Sequence, residues 1–174
     1  IDGNGPDRAT GIVLSGNTFD GFRIRSQFNG NGNMLIGNVF RNQRPDLVYG
    51  NRNESVEMQA YTGISHGNLL AYNTLSNAYA PCLSMRGDQS MLAGHALIGN
   101  RLLDCGGPYI AGSEDVALVI PAGVGTQTIV NNVIYHHARP SWVQYRAAGK
   151  LPVAAFDAAC SGDRCGGNEG GNAQ

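Results

Sequence analysis

Three arginines stand where an extended chain would turn them to one side: Arg23 and Arg25 in "FRIR" at 22–25, and Arg86 in "LSMR" at 83–86. Glu57 and Gln59 hold the same kind of position in "VEMQ" at 56–59. Successive side chains of a strand face opposite ways, so Phe22, Ile24, Val56, Met58, Leu83 and Met85 would turn inward and the polar set outward. A row of guanidinium groups can clamp carboxylates through paired hydrogen bonds. β-Elimination of a uronic acid needs such a cation, together with a base near the C5 proton and a donor for the leaving oxygen. The plainer expectation is a set of solvated arginines that keep a sheet soluble, because ordinary charged faces outnumber perturbed sites.

Other residues are less specific. Glycoside hydrolysis needs two carboxylates ~5–9.5 Å apart. Asp20, Asp46, Glu54, Glu57, Asp88, Asp104, Glu114 and Asp115 are available, but spacing marks no pair. Asp20 and Asp104 follow a recurring asparagine and read as turn residues. Glu114–Asp115 reads as loop acids, with calcium binding as the sharper alternative. His66 and His95 stand near strand starts, where a hydrogen-bonded structural histidine is commoner than a general base. His136 and His137 are adjacent, so strand alternation would separate them and prevent a shared metal. The "RGD" at 86–88 and the "NES" sequon at 53–55 are short enough to arise by chance.

The elements that would position these residues come from a repeat. "LSGNTF" at 14, "LIGNVF" at 35, "LAYNTL" at 70, "LIGNRL" at 97 and "IVNNVI" at 129 share one pattern of aliphatic, two spacers, asparagine, spacer and apolar residue. The asparagines are Asn17, Asn38, Asn73, Asn100 and Asn132, spaced 21, 35, 27 and 32 residues apart. Short segments rich in Val, Ile, Leu and Phe and punctuated by Gly and Asn read as strands. At this period they predict an all-β chain: a single-stranded right-handed parallel β-helix of about five to six coils, each ~4.8 Å beyond the last. In that arrangement the two apolar residues of each motif stack inward. The asparagine turns the corner, tolerates the left-handed conformation, and bonds its counterpart in the next coil.

Residues 1–137 are assigned to this solenoid, with insertions at 43–55, 60–66, 106–115 and 121–126. Residues 138–159, with Trp142 and alanine-rich runs, read as a C-terminal cap or short helix, since a solenoid end exposes strand edges and an open core. Residues 160–174, "CSGDRCGGNEGGNAQ", read as a flexible glycine-rich tail. The chain has 174 residues, 25 of them glycine, about twice the usual ~7% and consistent with many tight turns. A net charge of −1 argues against bulk-charge binding to nucleic acid. No apolar run is long enough for a transmembrane helix, so no membrane insertion is expected. Cys160 and Cys165 bracket a short loop and read as a surface disulfide or two free thiols. Cys82 and Cys105, about one coil apart, are either bridged or buried thiols. An even cysteine count favours an oxidising, secreted or cell-surface setting.

The five motifs resemble the repeats of the pectate-lyase-like superfamily over about residues 8–137. That superfamily includes polysaccharide lyases, hydrolases, epimerases, tailspikes and adhesins, so the resemblance implies fold more than activity. "ESVEMQA" at 54–60 and "LSMRGDQ" at 83–89 are similar to the alginate lyase and chondroitinase B group. That likeness implies Arg86 as the catalytic arginine and Glu54 and Glu57 as calcium ligands. It puts Gln59 at the position of the lysine base. The one lysine of the chain is Lys150, outside the repeats. The reading is therefore a secreted, carbohydrate-engaging protein, lyase-like or a degenerate relative. Arg23, Arg25, Glu57, His66 and Asp88 would bind an acidic polysaccharide, with Ca2+ as a possible cofactor. The alternative is a non-catalytic structural or adhesion module that self-assembles through its ends.

Overall fold

The computed structural model describes residues 9–22, 26–28, 30–44, 55–60, 63–88, 91–106, 116–138, 140–160 and 162–172. The chain is all-β in its framework, built from parallel sheets that it visits in rotation. The first round is β1 (Val13–Ser15), β2 (Thr18–Asp20) and β3 (Ser26–Phe28). The second is β4 (Met34–Ile36), β5 (Val39–Arg41) and β6 (Val56–Ala60). The third is β7 (Ser65–His66), β8 (Leu69–Ala71), β9 (Thr74–Ser76) and β10 (Leu83–Gly87). The fourth is β11 (Leu92–Ala93), β12 (Ala96–Ile98), β13 (Arg101–Leu103) and β14 (Leu118–Ile120). The fifth is β15 (Thr128–Val130), β16 (Val133–His136) and β17 (Trp142–Tyr145), with a hairpin return in β18 (Gly149–Pro152) and a helix α1 (Val153–Ala159). The sixth is β19 (Arg164–Gly166) and β20 (Glu169–Asn172).

Among the described residues, three six-stranded sheets result. The first runs β1-β4-β8-β12-β15-β19, the second β2-β5-β9-β13-β16-β20, and the third β3-β6-β10-β14-β17-β18. A two-stranded sheet pairs β7 with β11. Among the described residues, every pairing is parallel except the β17–β18 hairpin.

The repeated motif sets the register. In the first sheet Leu14, Leu35, Leu70, Leu97 and Ile129 pair in succession. In the second, Phe19, Phe40, Leu75, Leu102 and Ile134 do the same. The Phe19 and Phe40 rings stack at 4.6 Å. With Val56, Met58, Leu83, Met85, Leu118 and Ile120 from the third sheet, these side chains form the core. A one-residue slip would turn a whole strand's apolar set outward, so the register is firmly specified.

The asparagines form the expected column. The Asn17 amide donates to Asn38 Oδ1 at 3.1 Å, Asn38 to Asn73 at 3.1 Å, Asn73 to Asn100 at 3.0 Å and Asn100 to Asn132 at 3.0 Å. Each backbone N–H joins its own amide on the same oxygen. The left-handed conformation, expected at these asparagines, belongs instead to the residue before each: Gly16, Gly37, Tyr72, Gly99 and Asn131, with φ between 57° and 66°. The amide must point along the stack to meet its neighbours, so the sharp turn falls one residue earlier.

The C-terminal part departs from expectation. Trp142–Tyr145, placed in the cap, is a strand of the third sheet, and α1 follows it. Val153 and Phe156 of α1 are buried, with Phe156 edge-on to Tyr145. Residues 164–172, expected in a flexible tail, form β19 and β20 on β15 and β16. Asn132 donates to Asn168 at 2.9 Å, so the column has a sixth member. The inward position of β20 is Gly170, where a Cβ would strike Val153; glycine there lets the helix close onto the last round. Both cysteine pairs are bridged, Cys82–Cys105 and Cys160–Cys165. Among the described residues, no helix is long and apolar enough to cross a membrane.

Candidate functional site

The turns from the first sheet to the second are two residues long, as at Gly16–Asn17 and Gly37–Asn38. Two of the connections to the third sheet are much longer: 42–55 before β6 and 104–117 before β14. Loops carry recognition more often than the strands they join, so the third sheet is where a site would be built.

β6 and β10 lie side by side there, with Ser84 opposite Glu57 and Arg86 opposite Gln59. Gln59 Nε2 donates to Glu57 Oε1 at 2.7 Å. Alternation correctly separates Val56, Met58, Leu83 and Met85 into the core. The polar set, expected to face solvent, is covered as well: Glu57 is 0% exposed, and Gln59 and Ser84 are buried. Arg86 is half-buried and Asp88, just past β10, is exposed. Glu57, Gln59, Arg86 and Asp88 each take part in further interactions. Burial of a carboxylate beside an amide donor is a packed polar network rather than an open binding strip, which corrects the solvent-facing placement of Glu57. Arg23, Arg25, Glu54, Glu114 and Asp115 lie outside the described residues.

Arg86 stands opposite Gln59 in the register. The Gln59 side chain is an amide with no lone pair basic enough to take a carbon-bound proton. His66 lies on a different sheet. It is exposed on β7 of the two-stranded sheet, with its ring over Gly94.

His95 belongs to a second polar column. Ile12 N–H donates to Asn33 Oδ1, Asn33 to Asn68 Oδ1, Asn68 to His95 Nδ1 (3.2 Å), His95 to Gln127 Oε1 (2.8 Å) and Gln127 to Asp163 Oδ1 (2.7 Å). A backbone N–H can only donate, so Nδ1 is unprotonated. Burial, with the nearby His66, lowers the imidazole pKa from 6.5 to about 4. His95 is therefore a structural, neutral histidine. The sequence reading missed this column although its signal is plain: Asn33, Asn68, His95, Gln127 and Asp163 each stand five residues before a ladder asparagine. Mixed residue types hid it. Its end is closed by Arg146, which grips Asp163 through Nε (2.9 Å) and Nη2 (2.7 Å) and also donates to Val124 O and Gly125 O. The Tyr145 hydroxyl donates to the same carboxylate at 2.8 Å.

The adjacent histidines overturn another expectation. Rather than facing apart, His136 and His137 stack with rings 5.4 Å apart and 15° from parallel. His137 Nδ1 lies 2.6 Å and His136 Nδ1 3.8 Å from Asp104 Oδ1. Strand alternation fails because β16 ends at His136 and the chain bends at His137. Partial burial works to raise the Asp104 carboxyl's pKa, but hydrogen bonds from the backbone N–H and ring of His137, with the charges of both histidines, outweigh it and hold it below the ordinary value.

No family model matches this chain, and comparisons with curated proteins and with solved structures give no match.

Proposed function

We propose that the chain is a secreted right-handed parallel β-helix that holds an acidic polysaccharide on the third sheet without cleaving it. The single observation that carries this reading is the register pairing of Arg86 with Gln59, next to the Glu57–Gln59 hydrogen bond. Arg86 supplies a planar cation for a uronate carboxylate. Gln59, buried against Glu57, is an amide and cannot act as the base. Rotation through three sheets with parallel pairing supports the β-helix, and right-handedness follows from the general chirality of parallel crossovers. Two disulfides support an oxidising compartment. The pectate-lyase-like resemblance stands on the repeated motifs alone.

Thermal unfolding with alginate, pectin and chondroitin sulfate tests the reading. One of them should raise the melting temperature, Arg86→Ala should abolish the rise, and no unsaturated product should accumulate. The absence of any shift defeats binding; turnover defeats the non-cleaving assignment.

A second reading, a structural module, is favoured by a different face. Val13, Met34, Leu69, Ile36, Ile98 and Val130 flank the core-facing residues of the first sheet, and Tyr72 beside it is 67% exposed. Such an apolar outer face suits contact between molecules. Concentration-dependent association, weakened by Met34→Ser, would support it; a monomer at all concentrations would count against it.

A further inference from the structure

We propose that Asp104, His136 and His137 form a binding site for a divalent transition-metal ion of the zinc, copper or nickel type. This rests on the turn after the second sheet and is independent of the polysaccharide reading.

β13 and β16 are parallel neighbours with Leu103 opposite Tyr135, so the next residues, Asp104 and His136, meet where the strands end. Asp104 has φ 52°, a left-handed turn, and its N–H donates to Tyr135 O at 2.8 Å. The carboxylate is thereby fixed at the end of β16. His137 comes back to it: its backbone N–H donates to Asp104 Oδ1 at 2.8 Å. One ligand atom from each of the three residues lies within 4.8 Å of the other two. A single ion can draw three such atoms to bonding distance by side-chain rotation alone.

The donor set specifies the ion. Two imidazole nitrogens and one carboxylate oxygen suit zinc, copper or nickel. Calcium and magnesium take six or more oxygens and would find one ligand residue of their kind here. His136 Nδ1 accepts the Ala138 N–H at 3.1 Å and so is unprotonated; a metal would take over that lone pair from the hydrogen bond and would displace the proton that His137 Nδ1 shares with Asp104. The backbone N–H of His137 can stay on Asp104 and orient the carboxylate, as outer hydrogen bonds do at metal sites. The His137 side chain is 69% exposed, so an ion has direct entry. Three protein ligands leave a position for water or a ligand group. A bound ion would also tie the turn after β13 to the end of β16, fastening two successive rounds together.

The test uses the full chain, freed of metal by chelation. Zinc chloride is titrated by calorimetry, and melting is followed with zinc, magnesium or calcium. The expected result is one zinc per chain and a rise in melting temperature of about 5–10 °C at a hundredfold excess over Kd, with no comparable rise from magnesium or calcium. His137→Ala and Asp104→Asn should each weaken zinc binding at least about tenfold. Cobalt in place of zinc should give a visible spectrum that both variants lose. The exposed His137 side chain can be removed without disturbing the core, so that variant remains informative if Asp104→Asn misfolds. No stoichiometric binding, or equal binding by His137→Ala, overturns the proposal.

Discussion

Replacing Asn73 by alanine should cost far more than its size suggests. The side chain is fully buried and makes four hydrogen bonds. Its Oδ1 accepts the Asn38 backbone N–H at 2.9 Å and the Asn38 amide at 3.1 Å. Its Nδ2 donates to Leu35 O at 2.9 Å and to Asn100 Oδ1 at 3.0 Å. Asn100 Oδ1 would keep the Asn73 backbone N–H, also at 3.0 Å. The Asn38 N–H, one Asn38 amide hydrogen and Leu35 O would lose these bonds inside the stack. At about 1–3 kcal/mol per stranded buried group, eased by some relaxation, Asn73→Ala should destabilise by about 3–5 kcal/mol. Asn17 is the internal control. It is exposed at the first round and donates to Ser15 O and Asn38 Oδ1. Asn38 Oδ1 keeps the Asn17 backbone N–H, so Asn17→Ala should cost about 1 kcal/mol or less. Urea unfolding followed by far-ultraviolet circular dichroism, with disulfides intact, measures both, and an unchanged m-value confirms that stability alone has moved. If the two variants lie within about 1 kcal/mol of each other, the column is not a cooperative stabilising element and the reasoning fails.

Two further outcomes follow from the same framework. His95 is neutral in the folded chain down to about pH 4, whereas the unfolded chain protonates it near 6.5. Its contribution is therefore fully present above pH 6.5 and declines as pH falls toward 4, by about 3 kcal/mol in all. His95→Gln keeps an acceptor for the Asn68 N–H and should remove that part of the slope. Denaturation at pH 7 and at pH 4.5 compares the two proteins, and identical slopes would refute the assignment. The Cys82–Cys105 bridge closes a loop of sequence separation 23, worth about 3 kcal/mol through the unfolded state. The Cys82→Ala/Cys105→Ala double variant should lose about that much in the same assay, and no loss would mean that the bridge constrains nothing.

The first and second sheets were legible because one motif writes both of their inward positions and the corner between them. Six residues fix a strand, a turn and a strand, and the chain repeats them with its register intact. The third sheet was only half legible. Alternation in "VEMQ" and "LSMR" told inside from outside correctly, but it carries no information about what covers the outside, so Glu57 and Ser84 passed for solvent-facing residues. The His136–His137 geometry was hidden for a related reason. Alternation holds only within a strand, and β16 stops between the two residues.

The last round escaped for a subtler reason, and it explains how the stack is closed. A ladder of amides has a direction: every asparagine donates its N–H and its amide hydrogen to the next, so the final member is left with two donors and no successor. Asn168 gives both to the Asp157 carboxylate of α1. The second column meets its own carboxylate in Asp163, held by Arg146 at 2.7 Å. Two anions therefore close two rows of donors. Asp157 stands in the cap helix and Asp163 in a stretch whose glycines suggest disorder, where Gly170 must be small to admit Val153. Composition scores a glycine for the freedom it has in the unfolded chain. At this end of the protein that same residue is selected for the space it leaves to a helix that caps the core, while the helix brings the charge that ends the ladder.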